Sequence, residues 1–285
     1  MSGGRRSRPS IWTTGFDGAQ YPGPTVACIL AAVLSLVFAV LWWSNAVGED
    51  GSGYAAYLVG GLHAPSVREG EVFRIFTAPL LHLYPDHFMM NLGVLVGLSA
   101  VLETQIGHVR TLLVVALSML AGSLAAVAVP PGASVLVGAS GGVFGMIGAW
   151  GALALRQRQS TPPLLRRVRW AVPIVLVGDA VLALALPERI GWSAHLGGLV
   201  GGMGAMALLA QGAGPIPLGP SPRWMRWVAA GLAALFLWGV AVDVRRLATG
   251  RICEALLRDD LSEAVREGFT AALAELPVTC AEPER

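Results

Sequence analysis

Seven stretches of roughly 20 predominantly apolar residues recur along the chain, the length needed to cross the hydrocarbon core of a bilayer. They lie near residues 25 to 44, 86 to 104, 110 to 129, 138 to 155, 169 to 186, 193 to 211 and 225 to 243. Lipid offers no hydrogen bonds, so each such stretch must satisfy its backbone internally, which predicts a helix at every one. A chain that is 54% hydrophobic and 13% charged, with mean hydropathy +0.62, has too little polar surface to coat a water-soluble globule of this size. The expected class is an all-α polytopic membrane protein.

Charge sets the expected orientation. The basic residues are all arginine and the net charge is only +2, which gives no field that would point to a nucleic-acid partner. With a cytoplasmic N-terminus, the inside segments hold Arg5, Arg6, Arg8, Arg110, Arg156, Arg158, Arg166, Arg167, Arg169, Arg223 and Arg226, against Arg68, Arg74 and Arg189 outside. That asymmetry follows the positive-inside rule, and seven crossings then leave the C-terminal tail outside. The first apolar run ends in Leu-Trp-Trp-Ser, an interfacial anchor rather than a cleavage site, so it is read as retained. An arginine-only basic set fits a GC-rich coding sequence and a bacterial plasma membrane.

The three cysteines lack metal-ligand spacing. Cys28 is expected to be an inert core residue. Cys253 and Cys280 lie in a tail whose Leu257, Leu261, Val265, Phe269 and Leu273 form one apolar face, and an oxidising outer compartment predicts a disulfide between them. The connection from Gly48 to Pro85 mixes Tyr54, Tyr57, Phe73 and Phe76 with Glu and Arg. It is either an amphipathic segment lying in the interface or a packed extracytoplasmic loop. Arg74 within it either snorkels to headgroups or bonds loop carbonyls.

Chemistry concentrates at the outer ends of three segments. Ser140 sits in Gly138-Ala-Ser-Gly141-Gly142, followed by Gly145, and His195 opens a run containing Gly198, Gly201 and Gly202. Alone, the serine would be a packing residue back-bonded to a carbonyl, and the histidine a polar packing group. The matching four-residue glycine spacings, Gly138 to Gly142, Gly141 to Gly145 and Gly198 to Gly202, let two helices dock closely and bring both polar ends to one depth. A serine hydroxyl becomes a competent nucleophile when an imidazole accepts its proton, and the same imidazole can protonate a leaving amine. Acyl transfer also needs oxyanion donors, each worth about 2.7–4 kcal/mol in a dry site. His87 and Asn91, four apart on one helical face, and the Ser140 amide are candidates; ordinary interhelical hydrogen bonding is the plain reading of the His87 and Asn91 pair.

Gly138-x-Ser140-Gly141, His87-x-x-x-Asn91 and His195-x-x-Gly198 occur in the order and on the segments where rhomboid proteases carry them, and residues 25–211 resemble that family. Glu71, Phe73-Arg74, His82 and Glu103 add to the resemblance. It implies a six-helix core over 25–211; the linker and seventh helix at 212–248, which resemble the extra C-terminal helix some members carry, and the tail at 249–285 lie outside the match, and the arginine distribution makes 1–24 a cytoplasmic tail and 249–285 an outer one. The resemblance also implies a Ser140–His195 dyad, an oxyanion site from His87, Asn91 and the Ser140 amide, Arg74 as loop anchor, and glycines 138, 141, 142, 198 and 202 as packing support. Single-span membrane proteins cut near their outer boundary would be the substrates, with no cofactor. Two positions depart from the pattern: Phe144 stands where several relatives have Tyr, and Phe73 where the family typically has Trp.

Two other readings fit parts of this pattern. An α/β-hydrolase elbow at Gly138-x-Ser140-x-Gly142 with Asp179 and His195 following has the right chain order, but it requires a strand before the serine, where this chain has apolar helical runs. Asp179 is therefore set apart from the dyad, as a costly intramembrane carboxylate that pairs with a neighbouring span or lines a cavity. A catalytically inactive client-binding relative or a transporter is the second rival. Retention of both Ser140 and His195, and the lack of visible repeat halves, weigh against it.

Overall fold

The computed structural model describes residues 23–43, 53–130, 135–156, 163–185, 190–211 and 221–248. In chain order the helices are α1 (Thr25–Trp43), α2 (Gly53–Leu58), α3 (Ala64–Arg68), α4 (Arg74–Thr77) with a 3-10 turn at Ala78–Leu80, α5 (Pro85–Ile106) and α6 (His108–Ala128). They continue with α7 (Ser140–Arg156), α8 (Pro163–Ala185), α9 (Trp192–Leu209) and α10 (Arg223–Ala248). A long helix thus occupies each of the seven apolar stretches, and the described residues contain no strand beyond an isolated bridge between Leu62 and Leu136. Five of the helices, α1, α5, α6, α9 and α10, are long and apolar enough to cross a membrane by length and composition. The N-terminal 22 residues, the tail from 249 with its apolar face, and Cys253 and Cys280 lie outside the described residues.

The centre of the bundle is α9 wedged between α6 and α7. Glycine makes that approach possible: a Cβ on Gly198 would strike the Gly141 carbonyl oxygen and one on Gly202 the Gly145 carbonyl oxygen, while Gly197 and Gly201 face Ala125 and Ala121 of α6. Only the 141/145 row meets 198/202. Gly142, one residue and about 100° round the helix, turns instead to Met119 and Leu95, and Gly138 precedes the helix, so neither belongs to the α7–α9 seam expected of them. Leu95, Leu102, Leu113, Met146, Leu153 and Met206 fill the core around this trio.

Helix ends are tied by named groups. Pro85 opens α5 after an extended Tyr84, where its missing N–H costs nothing. At the far end of α5 the buried Glu103 carboxylate accepts the Val26 and Ala27 amides at 2.8 and 3.3 Å, capping the exposed donors of α1, and also pairs with His108. Cys28 lies on the outer face of α1, exposed, rather than in the core. A membrane helix is apolar on both its lipid and its protein side, so composition did not separate the two faces.

Residues 53–83 take the packed-loop form. Tyr57, Arg74 and His82 are fully buried. The Arg74 guanidinium lies 3.9 Å over the Tyr57 ring, donates to the Tyr57 and Gly61 carbonyls at 2.7 and 2.8 Å and pairs with Glu71 at 2.6 Å, so it binds loop carbonyls and does not snorkel. Phe73 is buried against the same guanidinium, its ring centre 5.2 Å away. The C-terminal end of α10 joins this loop, with Arg246 donating to the Leu58 carbonyl and to Asp243.

Candidate active site

Gly138 shapes the approach to Ser140. Its φ of 122° lies in a region that side-chain-bearing residues avoid, and its amide donates to the Ala78 carbonyl at 3.0 Å. Ala139, fully buried, donates its amide to His82 Nε2 at 3.2 Å, and Ser140 then begins α7. His195 stands at the start of α9, whose glycine seam with α7 holds both helix starts at one end of the bundle. The result is a 2.8 Å hydrogen bond between Ser140 Oγ and His195 Nε2. The Phe144 ring stacks on the imidazole with centroids 4.2 Å apart and planes 7° apart, so the aromatic floor is present without a hydroxyl.

The other imidazole nitrogen is also occupied. His195 Nδ1 lies 2.6 Å from Asp179 Oδ1, with the two side chains only 11% and 12% exposed. Asp179 comes from α8, where Val172, Val175, Leu176, Asp179 and Ala183 form the half-buried stripe and Ile174, Val177 and Val181 point outward. Sequence reasoning set this residue apart from the serine and histidine; the structure brings it to them. The available signal was a lone carboxylate in an apolar span, lying between Ser140 and His195 in the chain.

His87 and Asn91 project from α5 to the loop before the serine. A methyl group on Gly138 would come within 2.6 Å of His87 Cε1 and 3.5 Å of Asn91 Nδ2. Asn91 Nδ2 donates to His82 Nε2 at 3.1 Å, the same nitrogen that accepts the Ala139 amide. An imidazole nitrogen that receives two N–H donors carries no proton itself. Burial, followed by the proximity of His87, holds His82 neutral by lowering its pKa to about 3. His82 thereby ties α5 to the serine loop, a role the sequence registered only as part of a motif.

A serine hydroxyl, a base within hydrogen-bonding distance and polar side chains beside the serine loop form an arrangement suited to acyl transfer. Comparison with known proteins points the same way. A family model described as Rhomboid domain matches residues 69–212, which includes α4 through α9. A Bacillus subtilis (strain 168) protein named "Putative rhomboid protease YdcA" is 32% identical over 188 residues, 64% of this chain and 85% of that protein. "Rhomboid protease GluP" of the same organism is 31% identical over 143 residues, half of this chain but 27% of that longer protein. "Rhomboid-like protease 3" of Toxoplasma gondii is 25% identical over 239 residues, covering 82% of this chain and 86% of that one.

Proposed function

The chain belongs to the rhomboid family and is an integral membrane protein, and from that premise we propose that it is an intramembrane serine endopeptidase. Six helices, α1 and α5 to α9, form its core and α10 is a seventh crossing. Its substrates are single-span membrane proteins, cut near their outer boundary. The 2.8 Å contact of Ser140 Oγ with His195 Nε2 carries the reading.

Ser140 Oγ attacks the scissile carbonyl as His195 takes its proton; the tetrahedral oxyanion is met by the Ser140 amide, His87 and Asn91; His195 returns the proton to the departing amine. Water then attacks the acyl carbonyl as His195 takes its proton, the bond to Ser140 Oγ breaks, and His195 returns that proton to Oγ as the carboxylic acid leaves. The chemistry requires no cofactor. A helical substrate hides its carbonyls in hydrogen bonds, so cleavage favours small residues where the helix unwinds. The arginine distribution supports a cytoplasmic N-terminus, an outer C-terminal tail and a site open to the outside, in a bacterial plasma membrane.

The test is expression in bacterial cells beside a panel of single-span reporters with tagged ectodomains. Wild type releases the ectodomain to the outer compartment, a chelator does not slow release, and Ser140→Ala and His195→Ala reduce it by at least about a thousandfold. Equal release by all three proteins sinks the serine mechanism. Reporters that copurify with the protein but are never cut replace it with an inactive client-binding role.

A further inference from the structure

We propose that Asp179 is a positioning residue for His195, making the reactive unit a Ser140–His195–Asp179 relay rather than an isolated pair. The inference rests on the proteolytic reading and adds a residue to it. Three observations carry it. First, Asp179 Oδ1 lies 2.6 Å from His195 Nδ1 while Ser140 Oγ lies 2.8 Å from Nε2, so the imidazole is held from both sides. Second, Asp179 is the only carboxylate in Pro163–Ala185 and it sits on that helix's inward stripe, although a carboxylate in an apolar span is costly unless it is partnered. Third, α8 packs mainly on α7 and touches α9 lightly, yet the contact it does make with α9 includes this charge-bearing one.

The chemistry follows from what each group can do. An ionised carboxylate only accepts hydrogen bonds, so the proton between the two residues belongs to His195 Nδ1. Nε2 is left with its lone pair toward the serine hydroxyl, the tautomer a general base must have. When Nε2 takes the serine proton, the positive charge on the ring forms beside a carboxylate already in place. Asp179 accepts no proton in this scheme and touches no substrate; it acts through His195. The rival role is a mechanical tether between α8 and α9, and a side chain of the same shape would serve that role equally well.

Asp179→Asn separates the two, because the amide retains size and hydrogen bonding but can donate to Nδ1 and turn the proton toward Ser140. The protein is labelled with 15N-histidine in micelles and His195 is assigned by its loss in His195→Gln. Wild type should show a protonated Nδ1 and an unprotonated Nε2, and Asp179→Asn should lose that pattern. Reporter cleavage by the same variant should lose roughly 10⁴-fold in kcat with KM little changed, and Asp179→Glu should recover part of it. A His195 tautomer unchanged in Asp179→Asn, or full kcat in that variant, overturns the proposal. If instead wild type and Ser140→Ala cut alike, the proteolytic reading falls, while the nitrogen resonances still decide whether Asp179 sets the tautomer.

Discussion

The serine's surroundings depend on a missing side chain two residues before it. At φ 122°, Gly138 occupies a conformation that costs other residues about 1–3 kcal/mol, and an added methyl would press into His87 Cε1 at 2.6 Å. Gly138→Ala is therefore expected to lower kcat for reporter cleavage by about 100-fold, since a displacement of about 1 Å near the reacting atoms has that effect. A Gly138→Ala enzyme with wild-type turnover would contradict the placement of His87 at the site. Ser140, His195, His87 and Asn91 stood out in the sequence because polar groups at the ends of apolar spans are few. Asp179 stands out equally as a carboxylate in an apolar span, but the α/β-hydrolase fold that its chain order fits is excluded by the helical runs around the serine. Three-residue relays are defined by geometry and recur on unrelated folds, so rejecting the fold did not dispose of the residue.

At the scale of helices, the roughly 20-residue apolar length located α1 and α5 to α10 to within two residues of their ends, except that α8 starts six residues earlier and α10 ends five residues later than expected. Which face turns inward was much harder to read. Cys28 and Gly142 were both assigned to the wrong neighbours, since apolar and small residues occur on lipid-facing and protein-facing sides alike. The folded segment between α1 and α5 was ambiguous for a different reason: its stability comes from Arg74 bonding distant carbonyls, contacts that have no periodic signature. The α7–α9 seam provides a paired test. Gly202→Ala forces a methyl into the Gly145 carbonyl and should destabilise by about 1–3 kcal/mol, whereas Gly204→Ala meets open space and should be neutral or stabilising by up to about 1 kcal/mol. Melting in detergent reads the difference; equal melting points would mean that α7 and α9 do not pack this closely.

Across the whole molecule the ties separate into two ends. Glu103 joins the start of α1 to the end of α5 at one end. At the other gather Arg246 on the Leu58 carbonyl, Arg68 on the Val127 carbonyl, the Leu62–Leu136 bridge and the Ser140–His195–Asp179 contacts. Ser140, His195 and Asp179 thus share their end with the packed loop, and α10, beyond the stretch matched by the family model, reaches that loop along its C-terminal half, from Phe236 against Phe76 to Arg246 on the Leu58 carbonyl. The proposed hydrolysis requires Ser140 to be nucleophilic because of His195, and covalent trapping tests that without knowledge of the substrate. Purified protein is treated with a fluorophosphonate and digested for peptide mass mapping. The expected result is one phosphonyl group on Ser140 in wild type and none in His195→Ala; an adduct on a different residue, or equal labelling of Ser140 in both proteins, would contradict the account.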